Sequence, residues 1–275
     1  MVNPRAVSEK PETITKSLAP GISGSPYCLI FAGRGGTGKS THARLHTEWI
    51  QRAAMLIKIG DVDRTNATLT AFYSDLVESP PTADDKDVMN FLEKIIESQI
   101  EEKYNLILDF GGGDLILKNL ALRINLVEFF DRHGIEPVLF HHLGADMDYL
   151  SYLTSLEENN LFTPRRTIVV LNEFIKPSTQ FVETAFDMII GSRQLRAVLE
   201  RGARMISLPE LFPAPHIDRK RLSFYEALEN LPSMERSPLG PFKRQILKEW
   251  LRTVEERFRD AEIDLPWIPA KGVTK

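Results

Sequence analysis

The residues with the clearest chemical potential lie in one glycine-rich stretch, Gly33–Ser40, which reads GRGGTGKS. The glycines that open and close this pattern, together with Lys39 and Ser40, have the spacing of a loop that cradles phosphate groups. Glycine lets such a loop fold tightly enough to aim its backbone N–H groups at a polyphosphate. In this arrangement Lys39 would reach the β- and γ-phosphates, and the Ser40 hydroxyl would bind Mg²⁺.

The segments on either side of this stretch fit the same mechanism. The apolar run at 27–32 predicts a buried strand, and residues 41–50 predict a helix with Leu45 and Trp49 on one face. A loop between a strand and a helix receives the positive end of the helix dipole, which favours anions. The alternative is a glycine-rich turn without a ligand, which the agreement between motif and flanks disfavours.

Acidic residues follow two further predicted strands. Residues 53–60 predict a strand that ends at Asp61 and Asp63, and residues 104–108 predict a strand that ends at Asp109. The carboxyl ends of parallel strands meet at one edge of a sheet, so we expect these acids beside the phosphate loop. Asp109 would hold a water molecule of the Mg²⁺ shell. The alternative is that each acid caps a turn or a helix.

Three consecutive glycines, Gly111, Gly112 and Gly113, come shortly after Asp109. A backbone without Cβ atoms can approach a γ-phosphate and change conformation when that phosphate leaves. These glycines are therefore candidates for a nucleotide-sensing switch. The alternative is an ordinary glycine turn after a capping aspartate.

The chain continues to alternate strands and helices and adds candidates for holding a base. Residues 165–171 predict a strand that closes at Asn172, and residues 204–211 predict a short strand that runs into a loop. The Asn172 amide offers one donor and one acceptor and could pair with a purine edge, or it could belong to a turn. The loop after the short strand is a second candidate for base contact.

Composition limits the class of protein. The chain has 275 residues, 43% of them hydrophobic, which predicts one large α/β domain with a sizeable core. A net charge of −4 argues against a protein that binds polyanions over its whole surface, although it does not exclude a local basic patch. Cys28 is the only cysteine and no membrane-length apolar run exists, so we expect a reducing, cytoplasmic compartment. No structural metal is expected, because His141 and His142 lack further ligands at suitable spacing.

Three regions are predicted along the chain. Residues 1–24 are rich in proline and polar residues and predict a disordered tail. Residues 25–212 carry the motifs, and residues 213–275 predict loops and helices packed on or extending the same domain. The last helix, over 242–258, has one apolar face that predicts packing on its own sheet; a partner helix or a membrane surface is the alternative.

The motifs together resemble the deviant phosphate loop of ParA and MinD type ATPases. The stretch 33–40 is similar to their first motif, 61–68 to their second, and Asp109 with the following glycines to their third. The run Asn66-Ala67-Thr68 and the stretch 109–114 are most similar to plasmid-borne members in conjugal transfer and stability operons, the TraL and StbB kind. The resemblance implies a three-layer α/β sandwich, a mainly parallel twisted sheet with helices on both faces.

The resemblance also implies roles for particular residues. Asp63 would orient the attacking water, Asp61 would be its structural neighbour, and Asn172 and Pro209 would lie where the family holds adenine. The implied cofactors are ATP and Mg²⁺, and two subunits would enclose two ATP molecules in a homodimer. The nucleotide-binding set is Gly33, Arg34, Gly35, Gly36, Thr37, Gly38, Lys39, Ser40, Thr41, Asn172 and Pro209. The catalytic set is Arg34, Lys39 and Asp63; the metal set is Ser40 and, through water, Asp109; the switch set is Asp61, Asn66, Gly111, Gly112 and Gly113.

The sequence departs from the family at Arg34, where most members carry a lysine that crosses the dimer. Arginine is a permanent cation with a fork suited to phosphate oxygens, so it would serve as an arginine finger supplied in trans.

Three functions remain open from the sequence. The leading hypothesis is an ATPase that dimerises on binding ATP and acts with a protein partner in plasmid transfer, partition or stability, with DNA and peripheral membrane contact undecided. The second is a small-molecule phosphotransferase, with Arg193, Arg196, Arg201 and Arg204 as candidates for a lid. The third is a partner-docking protein that binds nucleotide with little turnover.

Overall fold

Seven parallel strands form the centre of the molecule. The computed structural model describes residues 24–63, 68–113, 115–158, 160–176, 181–229 and 239–270. The strands are β1 (Tyr27–Gly33), β2 (Ile57–Val62), β3 (Val77–Glu78), β4 (Asn105–Phe110), β5 (Glu136–Leu143), β6 (Arg166–Asn172) and β7 (Arg204–Leu208). Their order is β3-β2-β4-β1-β5-β6-β7, and every pairing is parallel.

Helices cover both faces of this sheet. They are α1 (Lys39–Arg52), α2 (Asp85–Glu102), α3 (Ile116–Arg123), α4 (Leu126–Arg132), α5 (Leu150–Glu157), α6 (Val182–Ala185), α7 (Asp187–Ile190), α8 (Arg193–Glu200), α9 (Ala214–Lys220), α10 (Phe224–Glu229) and α11 (Pro241–Asp260). Short 3₁₀ turns lie at Leu69–Ala71, Met147–Tyr149 and Glu173–Ile175. No helix among the residues described is both long enough and apolar enough to cross a membrane.

The five inner strands of the sheet are buried on both faces. Along β1, Leu29 and Phe31 pack in a core shared with α1, α10 and α11, whereas Cys28 and Ile30 pack in a core shared with α2, α3 and α4. A third apolar cluster packs α5, α7 and α8 against β5 and β6. Burial on both faces explains why these strands are continuous apolar runs in the sequence. The predicted fold class, a three-layer α/β sandwich with a parallel sheet, is confirmed.

Several element boundaries differ from the sequence prediction. The strand predicted from residue 53 begins at Ile57, because the amides of Ala53 and Ala54 still bond to carbonyls of α1. The single helical pattern over 115–132 is two helices, since Ile124 is extended and the Asn125 side chain caps the N-terminus of α4. The helix expected over 145–160 is a 3₁₀ turn followed by α5.

The C-terminal helix packs on the sheet, as its apolar face predicts. Its inward residues are Leu247, Trp250, Leu251, Val254 and Phe258, each at most 4% exposed. They share a core with β1 and β5. Residues 1–23 of the tail predicted over 1–24 lie outside the described residues. The predicted boundary between the regions 25–212 and 213–275 stays a prediction.

Candidate phosphate-binding site

The glycine-rich stretch forms the connection between β1 and α1, as the motif predicts. Gly36 and Gly38 have φ of 74° and 80°, left-handed values that only glycine adopts readily. A Cβ on Gly38 would lie 2.5 Å from Asn172 Nδ2, and one on Gly33 would lie 2.5 Å from the His142 carbonyl oxygen. The tight packing of neighbouring strands against the loop therefore requires glycine at both positions.

Lys39 folds back over the loop that precedes it. Its ammonium donates to the Arg34 carbonyl at 3.0 Å, and the Thr37 hydroxyl donates to the same oxygen at 2.8 Å. Burial lowers the pKa of Lys39, whereas the carboxylates of Asp109 and Asp63 raise it. Among the described residues, the hydrogen-bond partner of this largely buried ammonium is a neutral carbonyl, which suits the ammonium to receive an anion.

Asp61 and Asp109 lie side by side at the carboxyl ends of β2 and β4. They are register partners, and Asp109 is also the partner of Phe31 in β1. Asp109 is 1% exposed, and neither of its carboxylate oxygens has a hydrogen-bond partner in the described part of the chain. Burial raises the pKa of Asp109 to about 7, opposed by the nearby Ser40 hydroxyl and Lys39. The predicted convergence of this acid on the phosphate loop is therefore present.

A buried carboxylate without a partner calls for a cation or an ordered water. Oxygen ligands from a hydroxyl and a carboxylate are those that Mg²⁺ prefers, so Ser40 and Asp109 fit the predicted metal role. Within the described residues, no group of three or more His, Cys, Asp or Glu side chains could hold a metal ion.

Asp61 organises the turn that carries Asp63. Its carboxylate accepts hydrogen bonds from the Asp63 amide at 3.3 Å and the Thr70 hydroxyl at 3.4 Å. Burial raises the pKa of Asp61 to about 6. Asp63 follows β2, is partly buried, and lies close enough to Lys39 and Asp109 to shift the pKa of both. Asn66 lies outside the described residues.

The glycine triplet after β4 packs directly on the phosphate loop. A Cβ on Gly112 would lie 2.1 Å from the Gly35 nitrogen and 2.3 Å from its Cα. The Gly113 amide donates to the Gly33 carbonyl at 3.2 Å. Only glycine at 112 permits this contact. The predicted switch residues therefore lie against the backbone amides of the loop, which are the groups that bind phosphate in loops of this kind.

The two candidates for base contact lie at the same edge of the sheet. The Asn172 side chain donates to the Thr37 carbonyl at 2.9 Å and accepts from the Phe174 amide at 3.0 Å. Its amide therefore supports the phosphate loop directly, a task that the sequence did not indicate. The Pro209 carbonyl accepts from Trp250 Nε1 at 2.8 Å, which ties the loop after β7 to α11.

Arg34 points to the molecular surface instead of into its own loop. Its side chain is 48% exposed, pairs with Asp148 at 3.7 Å and lies 5.2 Å from the centre of the Tyr149 ring. An open cleft of about 530 Å³ begins here, between the phosphate loop, the glycine triplet and the turn after β5. Sequence reasoning missed Asp148 and Tyr149, although an acidic stretch after a strand was an available signal.

Two arginines proposed for a lid lie elsewhere. Arg201 donates to Glu157 at 2.6 Å and to the Pro164 carbonyl at 3.1 Å. Arg204 opens β7 and pairs with Glu262. Both positions belong to the amino edge of the sheet, opposite the phosphate loop.

Comparison with known proteins gives only distant likeness. No protein-family model matches the chain, and no curated protein sequence matches it. A plasmid partition protein from Borrelia burgdorferi bound to AMPPNP shares 13% identity over 84% of this chain and 99% of that chain, with a TM-score of 0.47. MinD from Aquifex aeolicus shares 13% identity over 84% and 97%, with a TM-score of 0.45. For FtsY from Mycoplasma mycoides the identity is 18%, the TM-score 0.39, and the match spans 62% of this chain and 59% of FtsY. Likeness of this degree assigns neither a family nor a ligand.

Proposed function

We propose that this protein is a Mg²⁺-dependent nucleoside triphosphatase that uses ATP and acts as a dimerisation switch. The observation that carries the proposal is the convergence of Lys39, Asp61 and Asp109 on one glycine-rich loop at the carboxyl edge of a parallel sheet. Ligands of open parallel sheets bind at this edge. A triphosphate is the ligand whose charge and length match a loop of backbone amides followed by a buried ammonium.

Each residue then has a defined task. The amides of the loop and Lys39 bind the β- and γ-phosphates, while the Ser40 hydroxyl and Asp109, through water, would hold Mg²⁺. When bound, the ion neutralises charge on the phosphate oxygens. Asp63 orients the attacking water, and Asp61 fixes the turn on which Asp63 lies. Removal of Asp63 should therefore spare binding and stop hydrolysis.

The docked glycine triplet supports a switch. Gly112 packs against the Gly35 nitrogen, so a phosphate that accepts a hydrogen bond from the Gly35 amide would compete with the glycine triplet for the space beside that amide. Two positions of the triplet would follow, one with and one without a γ-phosphate. Arg34 supports the dimer, because a half-exposed guanidinium at the mouth of the loop is available to a second subunit.

A phosphotransferase is the second candidate. The cleft beside Gly35 and Gly112 offers room for an acceptor next to the phosphate loop. Against it, two of the four arginines suggested as a lid lie at the opposite edge of the sheet. We therefore favour the switch, with plasmid transfer, partition or stability as the proposed setting.

Phosphate release and nucleotide binding test the proposal together. Wild-type protein, Asp63→Ala and Lys39→Ala are each titrated with Mg·ATP and Mg·GTP by calorimetry and then assayed for phosphate release, with and without DNA or lipid vesicles. We expect slow release by the wild type with a preference for ATP, binding without release by Asp63→Ala, and loss of binding by Lys39→Ala. ADP production that depends on an added acceptor would favour the phosphotransferase. Absence of heat with both nucleotides would refute the proposal.

Arg34→Ala tests the dimer separately. We expect nucleotide affinity to stay within a few-fold of wild type while nucleotide-dependent dimerisation, followed by light scattering, is lost. Lost binding with unchanged dimerisation would contradict a role in trans.

A further inference from the structure

Four buried side chains form a continuous hydrogen-bonded chain beneath the phosphate loop. Trp267 Nε1 donates to His46 Nδ1 at 2.9 Å, His46 Nε2 lies 3.2 Å from His42 Nε2, and His42 Nδ1 lies 3.0 Å from His142 Nε2. The three imidazoles are fully buried and Trp267 is 2% exposed. The proposed function makes no use of these residues.

The positions of the hydrogens follow from the indole at one end. An indole N–H can only donate, so His46 Nδ1 must accept and His46 carries its hydrogen on Nε2. That hydrogen faces His42 Nε2, which leaves His42 with its hydrogen on Nδ1, facing His142 Nε2. Each imidazole accepts a hydrogen bond through one ring nitrogen and therefore carries a single hydrogen on the other nitrogen. The chain therefore has one polarity, and Trp267 sets it.

This cluster is not a metal site. His42 turns a different ring nitrogen to each neighbour, so the three rings cannot converge on one ion. Zinc bound by histidines needs several ring nitrogens directed at one point. The cluster is a directional chain of hydrogen bonds.

The chain spans the base of the phosphate loop. His142 is the register partner of Gly33, where the loop begins. His42 lies in the first turn of α1, immediately after the residues that end the loop. The bond between these two histidines therefore joins the two ends of the loop. The rings of Phe31, Phe140 and Phe258 pack around His42 at centroid distances of 5.5, 5.0 and 5.7 Å.

We propose that Trp267, acting through His46, His42 and His142, holds the phosphate loop in its binding geometry. Residues beyond α11 thereby become positioning residues for the nucleotide site. Without the indole N–H, the two opposite directions of donation along the hydrogen-bonded chain become nearly equivalent in free energy. The hydrogen bond between His42 and His142 then no longer has His42 as its fixed donor. Hydrogen bonds of a chain polarise one another in a buried, low-dielectric environment, so the effect reaches the far end. The consequence for nucleotide affinity depends on the proposed function; the effect on the loop does not.

Trp267→Phe is the variant that tests this proposal. It removes the N–H and keeps an aromatic ring for the edge contact with Tyr27. Tyr225→Phe is the matched control, because it removes the buried hydroxyl that accepts a hydrogen bond from Trp49 of α1. Tyr225 belongs to the same core but is not a member of the hydrogen-bonded histidine chain. Three measurements are made on each protein: ¹⁵N NMR of the histidine rings, hydrogen exchange of the peptide over 33–42, and affinity for Mg·ATP and Mg·GTP.

In the wild type we expect the hydrogen on Nε2 of His46 and on Nδ1 of His42 and His142. In Trp267→Phe we expect mixed tautomers, faster exchange over 33–42 and nucleotide affinity weaker by about three- to tenfold, the effect of one hydrogen bond. Tyr225→Phe should leave the histidine tautomers unchanged, and its hydrogen-exchange rates over 33–42 and its nucleotide affinity should stay within about twofold of the wild-type values.

Two results would overturn the proposal: a wild-type His42 with its hydrogen on Nε2, or exchange over 33–42 that is the same in Trp267→Phe and in the control. If the wild type binds neither nucleotide, the proposed function falls, and the exchange measurement still decides whether the chain positions the loop.

Discussion

At Asp109, burial acts against the ionised form of the side chain. Burial, together with the neighbouring Asp61 and Asp63 carboxylates, raises the pKa to about 7 against the opposing effects of Ser40 and Lys39. Such an arrangement is unfavourable for a purely structural aspartate. A divalent cation beside Ser40 would offset it, since a nearby positive charge favours the ionised form. The residue thus gives the phosphate loop its clearest chemical signature.

His141, like Asp109, is a buried titratable side chain whose pKa is shifted by burial, but no ligand is proposed beside it. Its ring is fully buried and stacks on Tyr152 with centroids 5.7 Å apart, and neither ring nitrogen has a hydrogen-bond partner among the described residues. Burial lowers the pKa of His141 to about 3, below its unfolded value near 6.5. Between these values the unfolded chain binds the extra proton, so stability falls as the pH falls below about 6.5.

His141→Phe should remove this pH dependence. Relative to the variant, the wild type should lose about 1.4 kcal/mol of unfolding free energy per pH unit between pH 6 and 4.5. Urea unfolding of both proteins at several pH values measures the difference. Other titrating groups, including Asp109 and Glu48 with their raised pKa values, contribute to both proteins and largely cancel. Parallel pH profiles would show that His141 is not buried and neutral.

Gly112 and Gly113 provide a matched pair for the docked triplet. Gly112→Ala places a methyl group against the Gly35 backbone, so the triplet must leave the loop and the unfolding free energy should drop by about 1–3 kcal/mol. Gly113→Ala meets no atom within 4 Å, and its φ of 73° costs only about 1 kcal/mol of backbone strain. Exchange of the residue 113 amide, bonded to Gly33, should accelerate strongly only in Gly112→Ala. Equal acceleration in both would argue against docking.

Among the elements, α1 joins the phosphate loop to the segment 218–229. Arg44 is fully buried, pairs with Asp218 at 2.6 Å and lies 3.6 Å from the centre of the Phe72 ring. Glu48 accepts from the Phe224 and Tyr225 amides at the start of α10. Charged residues on a helix usually predict a solvent-facing side, so no local pattern indicated this junction.

Asp218→Ala should destabilise the protein more than Arg44→Met, although Asp218 is the more exposed partner. Loss of Asp218 removes the hydrogen-bonded counter-ion of a guanidinium that is 2% exposed. Because Asp218 is half-exposed and Glu48 stays near Arg44, we expect a cost of about 2–3 kcal/mol. Methionine removes the charge and fills the space between the rings of Phe72 and Phe224, so about 1 kcal/mol is expected for the lost bond to the Leu222 carbonyl. Urea unfolding ranks the two variants; the reverse order would show that Arg44 is solvated in solution.

The elements that the sequence predicted are those with strong local signals. The phosphate loop and its flanking strand and helix were placed correctly because motif, burial pattern and period agree locally. The two-residue strand β3 and the helix α9 were missed, since neither is long enough to show a period. The contacts of Asp148 with Arg34, and of Trp267 with His46, join residues far apart in sequence, and no local pattern predicts them.

For the whole molecule, the question is whether the C-terminal part belongs to the core. The core on the α1 face of the sheet is completed by α10, α11 and the residues after them, so β1 and β5 are not covered by α1 alone. Trp267 packs against Tyr27 with ring centroids 4.9 Å apart, which places the C-terminal segment beside the first strand. We therefore expect one cooperative unit, with no independent unit ending at residue 212.

Two phenylalanines of α11 test this expectation. Phe258 is fully buried, with its ring centroid 5.5 Å from that of Trp49 and 6.4 Å from that of Phe140, whereas Phe242 is 76% exposed. Phe258→Ala should lower the unfolding free energy of the whole protein by about 3–5 kcal/mol, and Phe242→Ala by less than about 0.5 kcal/mol. Tryptophan fluorescence and far-UV circular dichroism should move together in urea, because Trp49 and the sheet share the disturbed core. A separate early transition in Phe258→Ala, with the main transition unchanged, would mean that α11 is an appendage and that the core closes without it.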